Sequence, residues 1–567
     1  MRQNWRLNLI LLFFLIFSGL VIWRLFYWQI VESGQLATAA ENQHLVSFEI
    51  AAKRGQILAA DNFPLANNQE AYLVFVSLPD MEENSSVIAN KIAPFLVPTD
   101  QQADMEGLIK ERLGRSDLVW VPIKHKVLLK NKEAIEKLKI SGIGFEEEEK
   151  RNYPEGSASA HLLGFVGSDI NGRDKGYFGL EGYYDLELKG RAGVVRREKD
   201  ASGKPILVGE LKKEVQKDGS DLVTTIDRTV QFIIEEKLEK GLTRYGAKSG
   251  TVSLIDPKTG AIVAMASNPA YDPTDYFNFE KQLYPNPVVA SAFEPGSIFK
   301  VLVMAAALNE QVVEPETKCN QCDGPRTISD YKISTWNEKY YPNTTMTEII
   351  QHSDNVGMVF VGEKLGIPKM VSYLEKFGIG KPTGIDLQEE SSPKLRPENE
   401  WRQIDLATAS FGQGIALTPI QMLRAVGAIA NGGKLVRPFV VQKINSADKT
   451  TEIKPKLGEQ VIKPGTARMM TEMMVNAVDN GEAKWAKPKD YRIAGKTGTA
   501  QIAVSGHYDE EKTIASFVGF APADNPKFVM LVTLREPSSS PWGSETAAPL
   551  WFDIAKELFN YYGILPE

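Results

Sequence analysis

Residues 291–308 read SAFEPGSIFKVLVMAAAL, and the order of polar and apolar residues in that stretch governs the reading of everything around it. Pro295-Gly296 is a helix entry, and the apolar run from Val301 onward buries the helix that follows. The expectation is a core helix with Ser297 in its first turn and Lys300 one turn on, so that a hydroxyl and an amine share a face. A serine hydroxyl is a weak nucleophile until a base takes its proton. A lysine becomes that base near neutral pH only where apolar surroundings disfavour its charged form. The valines, methionine and alanines of 301–307 supply such surroundings. Ser-x-x-Lys by itself arises by chance in most long chains, and only its company gives it meaning.

Two further triplets supply that company. Ser353-Asp354-Asn355 follows a helical stretch in QHSDNVGM (residues 351–358), and Lys496-Thr497-Gly498-Thr499 lies on the alternating strand RIAGKTGTAQIAV (residues 492–504). Ser-x-x-Lys, Ser-Asp-Asn and Lys-Thr-Gly together are the active-site set of penicillin-binding proteins and class A β-lactamases. The chemistry of acyl transfer calls for these residue types. Ser297 is the expected nucleophile and Lys300 its expected base, and by analogy with that set Ser353 is placed to pass the proton to the departing amine. Asn355 donates to a substrate amide carbonyl, while Lys496 with the Thr497 and Thr499 hydroxyls suits a terminal carboxylate. Backbone N–H groups of Ser297 and Thr499 are candidates for the oxyanion hole, and Gly498 lets a ligand approach the strand closely.

Rival constellations are poorer. Gly495-Lys496-Thr497 resembles the end of a P-loop, but Asp490 stands where its first glycine belongs. Gly378-Ile379-Gly380 lacks the third glycine of a dinucleotide fingerprint. His352 is next to Ser353, yet helix neighbours do not face each other, so a structural or solvent role is expected.

Around this centre, residues 222–242 read as a strand entering an amphipathic helix and residues 250–267 as a β-hairpin; helices dominate to about Ala430. Strands return at 492–504, 514–521 and 528–534, and an amphipathic helix closes the chain at 548–561. Strands at both ends of a helical segment imply one antiparallel sheet flanked by helices, an α+β arrangement. Residues 32–220 are more polar, with β-like runs at 72–77 and 118–123, one helix near 132–138 and an acidic run, Glu146 to Glu149, read as a solvated face. The expected division is 1–31, 32–220 and 221–567.

Residues 7–23 are almost wholly apolar, and residues 25–30 extend them past Arg24 to the length of a bilayer span. Arg2 and Arg6 precede the run, so the amino terminus is expected in the cytoplasm and the rest outside it. Ala37-Thr38-Ala39 resembles a cleavage site but lies far beyond the apolar run, and an uncleaved single anchor is preferred. The chain has 567 residues, 43% of them hydrophobic, and a net charge of −7 with no concentrated basic face; it is globular, long enough for two or three domains, and no nucleic-acid binder. Its two cysteines, Cys319 and Cys322, are too few for a Cys₄ zinc site. A local disulfide is the first reading, two ordinary thiols the second, a thioredoxin-like pair the last.

On these motifs the chain resembles a class B high-molecular-weight penicillin-binding protein, a monofunctional peptidoglycan D,D-transpeptidase. Arg54-Gly55-Gln56-Ile57 with Pro64-Leu65-Ala66, Arg151-Asn152-Tyr153-Pro154 with Gly156, His161 and Gly164, and Gly179-Leu180-Glu181 with Tyr184 and Leu188-Lys189-Gly190 are similar to the family's three pedestal motifs. Phe411-Gly412-Gln413-Gly414 with Thr418-Pro419 resembles a further family segment. The resemblance implies a transpeptidase domain on an elongated β-rich N-terminal pedestal behind one transmembrane helix, with Arg54 and Glu181 in structural roles. The Ala59-Ala60-Asp61-Asn62 turn departs from the family's usual sequence, and Glu398, loosely like the deacylating glutamate of class A β-lactamases, sits among residues that do not fit that loop.

The function so implied is cross-linking of D-Ala-D-Ala stem peptides through a Ser297 acyl-enzyme, without cofactor or metal, in division or elongation, with the segment 151–190 leaning toward the division-type branch. Implied partners are peptidoglycan stem peptides, β-lactam antibiotics as inhibitors, and a polytopic membrane glycan polymerase within a division or elongation complex. The alternatives are a β-lactam-binding sensor or catalytically weak scaffold, and, disfavoured by anchor and pedestal, a β-lactamase.

Overall fold

Phe528–Arg535 reads FVMLVTLR, an apolar run without polar alternation, as a strand buried on both faces requires. It is the middle strand of a five-stranded antiparallel sheet ordered Ile262–Asn268, Ser249–Ile255, Phe528–Arg535, His507–Ala521, Ala494–Val504. Phe528, Met530, Val532 and Leu534 point into one core, shared with helices Arg228–Tyr245 and Ala547–Tyr562, while Val529 and Leu531 point into a larger one. Both ends of the catalytic segment thus furnish strands of one sheet, as the sequence implied. The helix Lys300–Asn309 runs through the larger core and is buried from Lys300 to Leu308.

The computed structural model describes residues 4–36, 45–115, 118–198, 211–504 and 507–566. They form two units: Met1–Arg54 with Lys189–Gly219, and Gly55–Leu188 with Ser220–Glu567. In the first, a three-stranded sheet joins Leu45–Ile50, Gly193–Glu198 and Leu211–Glu214. Its helical stretch Asn4–Val31 has 28 residues, and an 18-residue window of it has a mean hydropathy of 2.5, enough to cross a bilayer; none of its apolar side chains is buried against protein. Arg2 and the Ala37-Thr38-Ala39 site lie outside the described residues.

In the second unit a seven-stranded sheet draws on both sides of residue 220. Pro64–Ser77 pairs with Ile57–Leu58, Trp120–Leu128 and Ile143–Asn152, and Ile57–Leu58 pairs in parallel with Asp221–Thr224, which is antiparallel to Val441–Ser446. The acidic run Glu146 to Glu149 is therefore strand, with Glu146 and Glu147 exposed and Glu148 accepting from His125 Nδ1 (2.7 Å) and Lys126 N (2.9 Å). Helices Ser85–Leu96 and Gln102–Leu113 were not foreseen: Pro94 interrupts the first, and the second buries only Ile109 and Leu113. The pedestal motifs converge on Arg151, which donates to Glu181 Oε1 (2.6 Å), Gly55 O (2.8 Å) and Asn68 Oδ1 (2.9 Å), so Glu181 is buried with a partner. Tyr184 in turn donates to Asp386 Oδ2 (2.9 Å), which accepts from Val441 N (2.9 Å). Cys319 and Cys322 are joined in a buried disulfide beside Thr344, whose carbonyl accepts from Cys319 N (2.8 Å).

Candidate active site

Gly296 has φ +56° and opens a single 3₁₀ turn, Gly296–Phe299, ahead of the α-helix that starts at Lys300. Ser297 therefore lies in the 3₁₀ turn rather than in the α-helix the spacing predicted. The difference strengthens the pairing, because 3₁₀ geometry eclipses residues i and i+3 and so aligns Ser297 with Lys300. Behind the turn, Gly412 O accepts from Gly296 N (3.0 Å), which gives the Phe411-Gly412-Gln413-Gly414 segment its place. Before it runs Ala494–Val504, the outermost strand of the five. At Gly498 an added Cβ would lie 2.5 Å from Ser516 Oγ and 2.9 Å from Ile298 Cγ2. The bare backbone there thus admits the Ser297 turn. Ser297 is half-buried, and its hydroxyl makes no hydrogen bond among the described residues.

The Ser-Asp-Asn triplet joins two helices, Met346–Gln351 and Asn355–Leu365. Ser353 takes φ +55°, a strained value for a serine, and Asp354 caps the second helix by accepting from Gly357 N (3.1 Å). This kink turns Ser353 toward both lysines. Lys300 Nζ, with no exposed surface, donates to Ser353 O (2.6 Å) and Asn355 Oδ1 (2.8 Å) and stands 3.3 Å from Ser353 Oγ. Lys496 Nζ donates to Ser353 Oγ (2.9 Å), Thr497 O (3.1 Å) and Thr497 Oγ1 (3.2 Å). Two acceptor-only partners use both hydrogens of a neutral Lys300 amine, leaving its lone pair to accept from a hydroxyl. Asn355 Nδ2 gives one hydrogen to Ser334 O (3.1 Å) and keeps the other, and Thr499 Oγ1 accepts from Gly543 N (3.0 Å).

Burial pushes Lys300 well below its ordinary pKa and the charge of Lys496 pushes it further, while Asp354 and Glu482 oppose the shift. Burial also lowers Lys496, to about 8, against the pull of Glu482. Asp354 is raised, first by burial. Both shifts disfavour the charged amine, and Lys300 feels the charge of Lys496 as well as burial.

All eight residues singled out in the sequence converge here, 297 and 300 from the core helix entry, 353 and 355 from the kink, 496 to 499 from the outer strand. His352 stacks on Tyr341 (ring centroids 4.5 Å, 12° between planes). Glu398 is exposed. Sequence reasoning passed over Trp336 and Trp542, whose rings meet at 5.0 Å beside His352 and Thr499, and Glu482 in the turn after helix Pro464–Asn480. Neither tryptophan belongs to a periodic or motif pattern that would have flagged it.

A serine one turn from a buried lysine, beside a lysine-bearing strand edge on this α+β scaffold, is the arrangement of serine acyltransferases of the penicillin-binding class. Residues 250–560 match the penicillin binding protein transpeptidase domain and residues 49–224 the penicillin-binding protein dimerisation domain, and the chain belongs to the penicillin-binding protein transpeptidase family. It is 34% identical to stage V sporulation protein D of Bacillus subtilis over 99% of this chain and 86% of that one. It is 31% identical to the probable peptidoglycan D,D-transpeptidase PenA of Neisseria gonorrhoeae over 100% and 94%. Penicillin binding protein 3 of Mycobacterium tuberculosis, solved in complex with aztreonam, superposes with a TM-score of 0.71 at 25% identity, covering 92% of this chain and 98% of that one.

Proposed function

We propose that this chain is a membrane-anchored peptidoglycan D,D-transpeptidase that cross-links stem peptides through an acyl-enzyme on Ser297. Residues 1–31 are the cytoplasmic tip and anchor, 32–220 the pedestal, and 221–567 the catalytic domain on the extracytoplasmic side, an orientation supported by Arg2 and Arg6. The observation that carries the reading is the Ser353 hydroxyl held between two buried lysine nitrogens, 3.3 and 2.9 Å away.

Ser297 Oγ attacks the carbonyl carbon of the penultimate D-Ala and its proton passes to the Lys300 amine. Lys496 and the Thr497 hydroxyl hold the terminal carboxylate, the free hydrogen of Asn355 Nδ2 holds a donor amide carbonyl, and the N–H groups of Ser297 and Thr499 receive the oxyanion. As the C–N bond breaks, Ser353 Oγ hands its proton to the leaving amine and is reprotonated from Lys300; D-Ala departs. An amine of a neighbouring strand then attacks the ester, giving up its proton along the same path, and Ser297 is regenerated. β-Lactams acylate the same serine. A polytopic glycan polymerase in the same membrane, within a division or elongation complex, supplies the strands.

Labelling the detergent-solubilised full chain with a fluorescent penicillin tests this. Stable acylation that vanishes in Ser297→Ala, together with transfer of a stem-peptide donor onto a labelled D-amino acid, is expected. Acylation without transfer under any condition points instead to a sensor or scaffold, and rapid release of hydrolysed drug to a β-lactamase.

A further inference from the structure

Trp336 and Trp542 stand outside the three motifs, and each is carried by a loop bonded to a different wall of the site. On one wall, Ser334 O accepts from Asn355 Nδ2 (3.1 Å) and Trp336 Nε1 donates to His352 O (3.4 Å), so this loop brackets the Ser-Asp-Asn kink. On the other, Gly543 N donates to Thr499 Oγ1 (3.0 Å), and a Cβ on Gly543 would lie 2.2 Å from Gly498 O and 2.7 Å from Ser516 O, so the second loop is pressed onto the Lys-Thr-Gly strand. The two rings meet between the walls, with centroids 5.0 Å apart and planes at 58°. At that separation they are in contact and nothing fits between them. The halves differ in how firmly they are held. Trp542 O accepts from Thr546 Oγ1 (2.7 Å) and Glu545 N (3.1 Å), and Trp542 N donates to Ser540 Oγ (3.2 Å). Trp336 is 41% exposed and sits in a turn closed by Thr335 Oγ1, which donates to Lys339 O (3.0 Å). Trp336 is therefore the half free to swing, and Trp542 the stop it closes on.

We propose that Trp336 and Trp542 form a clasp across the amide end of the donor site that limits the bulk of the group attached there: the stem-peptide residue before D-Ala-D-Ala, or the acyl side chain of a penicillin. The inference rests on the acyl-transfer reading above, in which the free hydrogen of Asn355 Nδ2 holds the amide carbonyl that joins this group. Whatever extends beyond that amide, between Asn355 and the strand edge at Thr499, runs into the ring pair. A small group stops short of the rings, whereas a large one must part them, and parting one aromatic pair slows its entry by about two- to tenfold.

Acylation of the full chain by two penicillins that differ only in this group is the test: 6-acetamidopenicillanic acid, whose side chain ends in a methyl, and piperacillin, whose side chain is large. Second-order rates are read by competition with a fluorescent penicillin. In Trp336→Ala the piperacillin rate rises about two- to tenfold over wild type, while the acetamido rate stays within about twofold. Trp336→Phe, which keeps a ring, stays near wild type for both. A piperacillin rate that falls in Trp336→Ala means that the rings grip the side chain instead and overturns the inference, as do equal changes for the two drugs. Trp542→Ala carries the same expectation if the Trp336 variant does not fold. Wild type that is acylated by neither drug, or Ser297→Ala that still is, refutes instead the acyl-transfer reading.

Discussion

Replacing Lys300 by Met removes the amine and leaves a chain of nearly the same length in an apolar slot. The base is lost, and with it about 10²- to 10⁴-fold in acylation rate, or ~3–5 kcal/mol of barrier. Two acceptors lose their donor as well, Ser353 O at 2.6 Å and Asn355 Oδ1 at 2.8 Å. Each costs about 1–3 kcal/mol if left dry, offset by no longer burying an amine. The stability change should depend on pH with a fixed sign. The folded-state pKa of Lys300 lies below its unfolded value, so the unfolded chain binds more protons between the two, and wild-type stability rises with pH through that window. Lys300→Met lacks this slope, so the stability deficit of the variant is largest at alkaline pH and shrinks as pH falls. Acylation rates with fluorescent penicillin and thermal melts at acidic and alkaline pH measure both effects. A variant that acylates within a few-fold of wild type would mean that another group takes the Ser297 proton.

Gly498→Ala places a Cβ against Ser516 Oγ and Ile298 Cγ2 and should push the Ser297 turn off the strand, cutting acylation more than tenfold in a protein that still melts cooperatively; an unchanged rate would deny that contact a role. Arg151→Met takes a charged donor from the fully buried Glu181 and should cost about 3–5 kcal/mol in denaturant melts, with Arg151→Met/Glu181→Leu recovering much of it. A melt unmoved by the single change would contradict this. His161 donates Nε2–H to Leu283 O (2.9 Å), and burial lowers its pKa from 6.5 to about 4. Its contribution, ~3 kcal/mol, is whole above pH 6.5 and is lost as pH falls toward 4. Acid unfolding of His161→Gln should be correspondingly flatter between those values, and parallel acid curves would exclude it.

The catalytic fold was legible in the sequence because its signals are local and strong. FVMLVTL declares a strand by its hydrophobicity, KVLVMAAAL a core helix, and the three motifs carry both residue types and order. What stayed hidden depends on partners distant in the chain. Ser353 owes its twisted backbone to the junction of two helices, and Arg151 finds Glu181 only in the folded pedestal. Gly498 was flagged as a close-approach site, but nothing in a strand sequence says that the Ser297 turn will lie against it.

The seven-stranded sheet sets the order in which the chain acquires structure. Ile57–Leu58 needs Asp221–Thr224 as its parallel neighbour, and that strand in turn awaits Val441–Ser446. During synthesis the sheet keeps an open edge while more than two hundred residues follow. Such distant pairings fold slowly and expose strand edges to other chains. The nascent polypeptide is thus at its most aggregation-prone between the emergence of these two segments, and a holding factor that masks a strand edge has its greatest effect in that interval.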